Sequence, residues 1–468
     1  MKKKILFGKL IILFIPWILA LAFQSTPVGS YWIAWLGSFF IFFVTLTGKI
    51  IPMPDDRAFS EQLMRPIFIV QIIFAGYMCC TSIFYFISLL GYRYFTLTNP
   101  FFFADDFALQ TVAQCQRYYV LGHAAFASGI ICFMKYPVKS KYYIANDKLA
   151  NNLLIIALIT FPVSLFFLKL PGLAQFYFQY SSLSFISGTL ALAFAIPLQK
   201  LTNTLICLAL YGFNFYAALT SGFKEPIIIS VLILGIFLYP NYKKIVITVF
   251  VPALLLLFTF LPTYVNSFRA QAWSGDETFD AASQIALDAA LNNDSKDDTN
   301  WGFLVYRFSE IGMFTDFVRS TPEKVDFYKL QLVEQSAITI VPRVFWPSKP
   351  STEELIMERV YDAGVVSTVS NVSAKPAFIV DAYLSYGSIG IIIFLFIYGA
   401  VAQLISIKAE KLFGGYIFGT ALIFSGLFQI FWRGLSFEFL VNSVFWSYFS
   451  MLAIFKILRY TNILKLRA

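Results

Sequence analysis

The chain has 468 residues, 59% hydrophobic and only 13% charged, against roughly 45–50% and 25% in soluble domains, which excludes a soluble globular protein. Its 35 Lys and Arg outnumber 26 Asp and Glu, a formal charge of +9, yet the basic residues are spread along the chain instead of forming one patch, which argues against a nucleic-acid partner. The five cysteines lack the spacing of a disulfide framework or a zinc site, so no metal and no other cofactor is expected.

Apolar runs of membrane-spanning length predict an all-α integral membrane protein of about twelve transmembrane helices. The first six run Ile5–Phe23, Tyr31–Thr47, Pro66–Leu90, Tyr118–Phe133, Asn152–Leu168 and Ser181–Pro197. Thr202–Leu219, Pro226–Tyr239 and Ile245–Leu261 follow, and Tyr386–Ile405, Gly414–Ile430 and Phe437–Ile457 come last. The expected organisation is nine spans within 1–264, one large loop over 265–384 containing short helices, and three spans with a tail over 385–468. No internal repeat is visible. The first span reads as retained and not as a cleaved signal peptide, because a second span follows after only Gln24–Ser30.

Positive charge is retained in the cytoplasm during insertion, so Lys2-Lys3-Lys4 places the amino terminus there. On that assignment the cytoplasmic segments hold 20 Lys or Arg and the short outer loops hold five: Arg93, Arg117, Lys169, Lys224 and Arg433. The remaining ten lie in the large loop, which translocates largely regardless of charge. Both termini are then cytoplasmic and the large loop faces outward.

That loop is where chemistry is expected. Of the 26 acidic residues, 17 lie between Asn266 and Asp381. Within it, Asn292–Asp298 reads as a mobile, solvated piece. Pro342-Arg343-Val344-Phe345-Trp346-Pro347-Ser348-Lys349-Pro350 combines a restricted backbone with residue types that suit a phosphorylated sugar. Arg343 offers a bidentate grip on phosphate, Lys349 a point charge, and Trp346 an apolar face with a polar edge. The same segment has a second reading, a proline-rich connector whose Trp346 anchors at the membrane surface.

This string resembles a segment late in the long outer loop of Wzy-type O-antigen polymerases and related oligosaccharide repeat-unit polymerases. Two further elements are similar to that family. Ser221-Gly222-Phe223-Lys224 resembles its Ser-Gly-x-basic element, and Asp381-Ala382-Tyr383-Leu384-Ser385-Tyr386-Gly387 its acid-x-Tyr-x-Asn-aromatic-Gly element, with Ser385 in place of Asn. Arg307-Phe308-Ser309-Glu310 is similar to another loop segment of related polymerases.

The resemblance implies a glycosyltransferase that polymerises undecaprenyl-diphosphate-linked repeat units into surface polysaccharide at the outer face of a bacterial cytoplasmic membrane. It also implies the lipid-linked glycan as substrate, with a chain-length regulator and a flippase as partners. Such a reaction needs cations for the diphosphate leaving group and a base for the attacking hydroxyl. The cationic candidates are Lys224, Arg343, Arg433 and Arg307, with Trp346, Lys349 and Tyr383 as further substrate contacts. Asp381 and Glu310 are the carboxylate candidates for the base. His123, the only histidine, is a third candidate by its near-neutral ordinary pKa, or else a polar residue hydrogen-bonded between helices. Asp105-Asp106 looks like the acidic pair of a metal-using lipid-dependent transferase, but it lies in the second outer loop and is read as a turn.

An O-antigen ligase-like transferase is the nearest rival, and the absence of histidine from the large loop favours the polymerase. A glycolipid flippase or transporter would need paired charges along a central path and pseudo-repeats, and neither is evident.

Overall fold

A chain in a bilayer has no water to satisfy its backbone, so its spans must close their hydrogen bonds as helices. The computed structural model describes residues 8–99, 102–145, 148–170, 172–173, 175–219, 224–272, 279–292, 296–306, 308–369 and 373–467, and it is mainly helical. The Ser221–Phe223 part of the Ser-Gly element lies outside these residues, as do Arg307 and positions 293–295 of the solvated stretch.

A short 3-10 turn leads into α1 (Ile15–Ala22), followed by α2 (Pro27–Leu46), α3 (Gln71–Leu89) and α4 (Asp106–Phe133). Then come α5 (Leu149–Lys169), α6 (Gln175–Ala195), α7 (Leu201–Leu219), α8 (Lys224–Leu238) and α9 (Val251–Ala272). The predicted loop is largely helical: α10 (Phe279–Asn292), α11 (Lys296–Tyr306), α12 (Ile311–Ser320), α13 (Gln331–Ile340) and α14 (Thr352–Asp362). The chain closes with α15 (Phe378–Leu412), α16 (Ile417–Leu427), the single turn α17 (Ile430–Arg433) and α18 (Phe437–Tyr460).

Five of the described helices, α2, α3, α5, α15 and α18, are long and apolar enough to cross a membrane, and a sixth if the bent pair ending in α9 is one span. This corrects the expected twelve, for identifiable reasons. α4 has the length but carries Gln110, Gln114, Gln116, Arg117 and His123. Most of its residues are buried, with α2 and α15 packed along it, so its solvent is largely protein and not lipid. α6 is diluted by Gln and Ser, and α8 at 15 residues is short of the ~20 a bilayer requires. The predicted span Gly414–Ile430 is broken, with a π-helical stretch at Ile417–Phe424 and an interruption at Phe428 before α17.

Close approach holds the centre together. A Cβ on Gly129 of α4 would lie 2.1 Å from the Phe396 carbonyl oxygen of α15, and one on Gly399 would lie 2.1 Å from that of Phe126. This reciprocal glycine contact lets the two backbones touch, the device membrane helices use where no hydrophobic force drives association. α5 and α6 pack similarly, with Ser184 and Ser187 donating to the Ala157 and Leu153 carbonyls at 2.8 and 2.6 Å.

Loops that the charge count places on one side also meet at one end of the bundle. Tyr142–Tyr143 (β1) pairs antiparallel with Lys465–Leu466 (β2) near the carboxyl end, and Arg65 lies 3.6 Å from Glu410 and 2.6 Å from Asp56. The Arg65 guanidinium also sits 3.8 Å over the Tyr136 ring. The loop helices α12, α13 and α14 occupy the other end.

α15 contains a break. Tyr386 and Gly387 have non-helical backbone, Gly387 with φ 59°, and this frees the carbonyls of Leu384 and Ser385. The loop supplies the missing donors, since the N–H groups of Tyr328 and Lys329 donate to them at 2.9 and 3.0 Å. The predicted span starting at Tyr386 therefore begins at the break, not at the start of the helix.

The glycine contact generates a prediction. Gly399→Ala should destabilise the purified protein by about 1–3 kcal/mol through overpacking. A melting temperature in detergent equal to wild type would show that α4 and α15 separate freely.

Candidate functional site

Three charged side chains meet where the loop joins the bundle, all essentially inaccessible to solvent: Arg359 (1% exposed), Asp381 (0%) and Glu438 (0%). Arg359 sits on α14, whose start is set by a capping box between Ser351 and Glu354. Its Nε and Nη2 donate to the two Asp381 oxygens, each at 3.0 Å. Nη1 and Nη2 donate to the two Glu438 oxygens, each at 2.9 Å. The guanidinium is thus bidentate to both carboxylates. Burial opposes its charge, but Asp381 and Glu438 outweigh that and hold its pKa above the ordinary arginine value. Asp381 also accepts the Phe437 N–H at 2.8 Å, which ties the first turn of α18 to that of α15.

The segments so tied border a cleft. Ala377 precedes α15, and Arg433 and Gly434 precede α18; they face Tyr77 of α3, Tyr119 of α4 and Glu310 at the start of α12. Gly434 closes α17 in the left-handed conformation (φ 59°), and a Cβ there would lie 2.1 Å from the Phe74 ring, so both backbone and space require glycine. Its carbonyl accepts the Phe378 N–H at 2.7 Å. Arg433 is thereby presented, exposed, on a one-turn helix of fixed orientation. The cleft as it stands has room for about one water molecule.

Two of the residues singled out in the sequence, Glu310 and Arg433, therefore line one cleft. The others are placed elsewhere. Asp381, favoured as a base, has both oxygens engaged by Arg359, which gives it a structural role. Tyr383 is buried, donating to the Thr321 carbonyl at 2.7 Å and contacting the rings of Tyr118 and Phe314. Lys349 folds inward and donates to the Thr339 and Val341 carbonyls at 3.0 and 2.7 Å, capping α13, so it is not presented to a phosphate. Burial, then the charge of Arg343, lowers its pKa below the ordinary lysine value.

Arg343 and Trp346 are exposed, and the Trp346 indole N–H donates to Ser348 Oγ at 3.1 Å. His123 lies inside α4 with its Nε2 3.2 Å from the Gln71 amide nitrogen and its ring 4.5 Å from that of Phe42, the interhelix alternative of the two sequence readings. Lys224 opens α8, and its side chain lies outside the described residues, as does Arg307. Asp105 is the N-cap of α4, accepting the Phe107 N–H at 2.9 Å, in keeping with a local backbone role. Among the described residues no group of three or more His, Cys, Asp or Glu side chains is placed to hold a metal.

Sequence reasoning passed over Arg359 and Glu438. A signal for Glu438 was present, an acid in the first turn of an apolar helix, where an unpaired charge would cost several kcal/mol. Arg359 gives no such signal, because its neighbours on an amphipathic loop helix are charged too.

Arg359→Met leaves two buried carboxylates uncompensated and should cost about 3–5 kcal/mol, with loss of folded protein in detergent. Arg359→Lys, which cannot reach four oxygens, should fall between it and wild type. Equal melting temperatures for all three proteins would remove the triad from the stabilising contacts.

No curated protein and no solved structure matches the chain. One family model, described as a domain of unknown function (DUF8712), matches residues 15–466. Since that match takes in both bundle ends, the loop helices and the cleft, the chain belongs to the DUF8712 family.

Proposed function

We propose that this protein is a membrane glycosyltransferase that joins lipid-diphosphate-linked oligosaccharide units, working at the cleft between Glu310 and Arg433. The observation that carries the reading is their meeting: two residues 123 positions apart, each named from the sequence for complementary chemical tasks, line the same cleft. The motif resemblance supplies the reaction class. Within it, Glu310 accepts the proton of the attacking sugar hydroxyl and Arg433 stabilises the negative charge developing on the departing diphosphate. Tyr77 and Tyr119 provide the aromatic wall such a sugar would meet.

A repeat unit is far larger than one water, so entry requires α12 and the Arg433 turn to separate. The reading includes a multi-pass chain in a bacterial cytoplasmic membrane, with the loop helices outward and both termini inside. That topology needs an odd number of crossings on each side of the loop helices, so helices beyond the five, among them α4 and, between α15 and α18, α16, cross as well, sheltered by neighbouring helices.

The test is deletion of the gene followed by gel analysis of surface glycan, with complementation by variants. Loss of long chains while single units still reach their acceptor supports polymerisation; loss of every modified acceptor points to a ligase. Lipid-linked units stranded on the cytoplasmic face would reject both. In an assay with purified protein and lipid-linked units, Glu310→Gln and Arg433→Ala should each slow chain extension by about 10²-fold or more, with unchanged melting behaviour. Wild-type rates from both variants would remove the cleft from the reaction.

A further inference from the structure

The Pro342–Pro350 segment displays three consecutive apolar side chains to the outside: Val344 is 54% exposed, Phe345 78% and Trp346 40%. Backbone hydrogen bonds fold the run into a turn. The Phe345 and Trp346 N–H groups both donate to the Pro342 carbonyl, and the Lys349 N–H donates to that of Trp346. Lys349 then pins the segment to α13 from beneath, and Trp446 of α18 donates its indole N–H to the Ile340 carbonyl at 2.9 Å. The display is therefore rigid.

Its position points to what covers it. A Cβ on Gly172 would lie 3.0 Å from the Val344 nitrogen, so the tip rests against the turn that follows α5. α5 is one of the helices apolar and long enough to cross a membrane, and its last turns expose Leu165, Phe166 and Leu168. Phe178 at the start of α6 is exposed as well. The apolar tip thus continues the surface that α5 presents outside the bundle. No acid lies between Val341 and Ser351, while Arg343 is exposed there and Lys169 ends α5. The Trp346 N–H is satisfied by Ser348, so its indole can leave water without an orphaned donor.

We propose that Val344, Phe345 and Trp346 form a fixed wedge seated in the bilayer at the boundary between phospholipid headgroups and acyl chains. Arg343 and Lys169 lie at headgroup level, facing lipid phosphates. The wedge holds the loop helices against the membrane surface, and it does so whether or not the cleft is a glycosyl-transfer site.

Depth-resolved quenching tests this. Phe345→Cys and, as a water-facing comparison, Val369→Cys are labelled with a bimane fluorophore in protein placed one copy per phospholipid nanodisc; labelled wild type gives the background from native cysteines. Lipid brominated high on its acyl chains should quench the 345 label about twofold or more and leave the 369 label unchanged, while aqueous iodide should do the reverse. Iodide quenching at 345 equal to that at 369 overturns the proposal. A 345 label quenched by neither agent overturns it as well, since another part of the protein then covers the tip. If Phe345→Cys does not fold, Val344→Cys carries the same test with the same outcomes.

Discussion

The interaction between Arg359, Asp381 and Glu438 is the constraint on which the rest of the outer end depends. It joins three pieces of chain far apart in sequence: a loop helix, the start of α15 and the start of α18. Burying one guanidinium and two carboxylates is costly, and their mutual attraction offsets that cost only because nearly every oxygen and N–H finds a partner. Such a cluster gains little from being approximately right. It accepts one arrangement of the three elements, and that arrangement sets where Ala377 and Arg433 stand relative to Glu310. The triad thus acts as the positioning device for the cleft, without touching anything that would enter it.

Much of the architecture was legible from hydropathy. The apolar runs at α2, α3, α5 and α18 were found within a few residues, and the helical content of the loop was anticipated. What failed was the count, because a helix surrounded by protein need not be apolar: α4, with its Gln, Arg and His, looks in isolation like half a span. π-helical turns in α3 and α16 leave no mark that a period-3.6 reading detects. The candidate cleft was legible in part, since two of its lining residues, Glu310 and Arg433, stand out in the sequence. The ion pair of Asp381 was not legible, because Arg359 and Glu438 lie 22 and 57 residues away, which local pattern cannot reveal.

The Pro342–Pro350 string shows how one set of residues serves two roles that composition alone cannot separate. Basic and aromatic side chains between prolines suit both phosphate capture and membrane contact. The direction of Lys349 distinguishes them here, because an ammonium turned inward onto two carbonyls is a structural fastener. With it withdrawn, the segment's outward chemistry is that of an amphipathic tip.

The break at Tyr386 and Gly387 divides α15 into two helical pieces with different anchors. The piece 378–385 is fastened to the loop by the Tyr328 and Lys329 donors and by the triad, while the piece beyond Gly387 is fastened to α4 through the glycine contact. Beyond the break, the Tyr398 hydroxyl also donates to the Phe431 carbonyl at 2.8 Å, in the turn that carries Arg433. The Arg433 turn is therefore held by both pieces of α15, through the Phe378 N–H on the outer one and the Tyr398 hydroxyl on the inner one, so it registers the span on either side of the break.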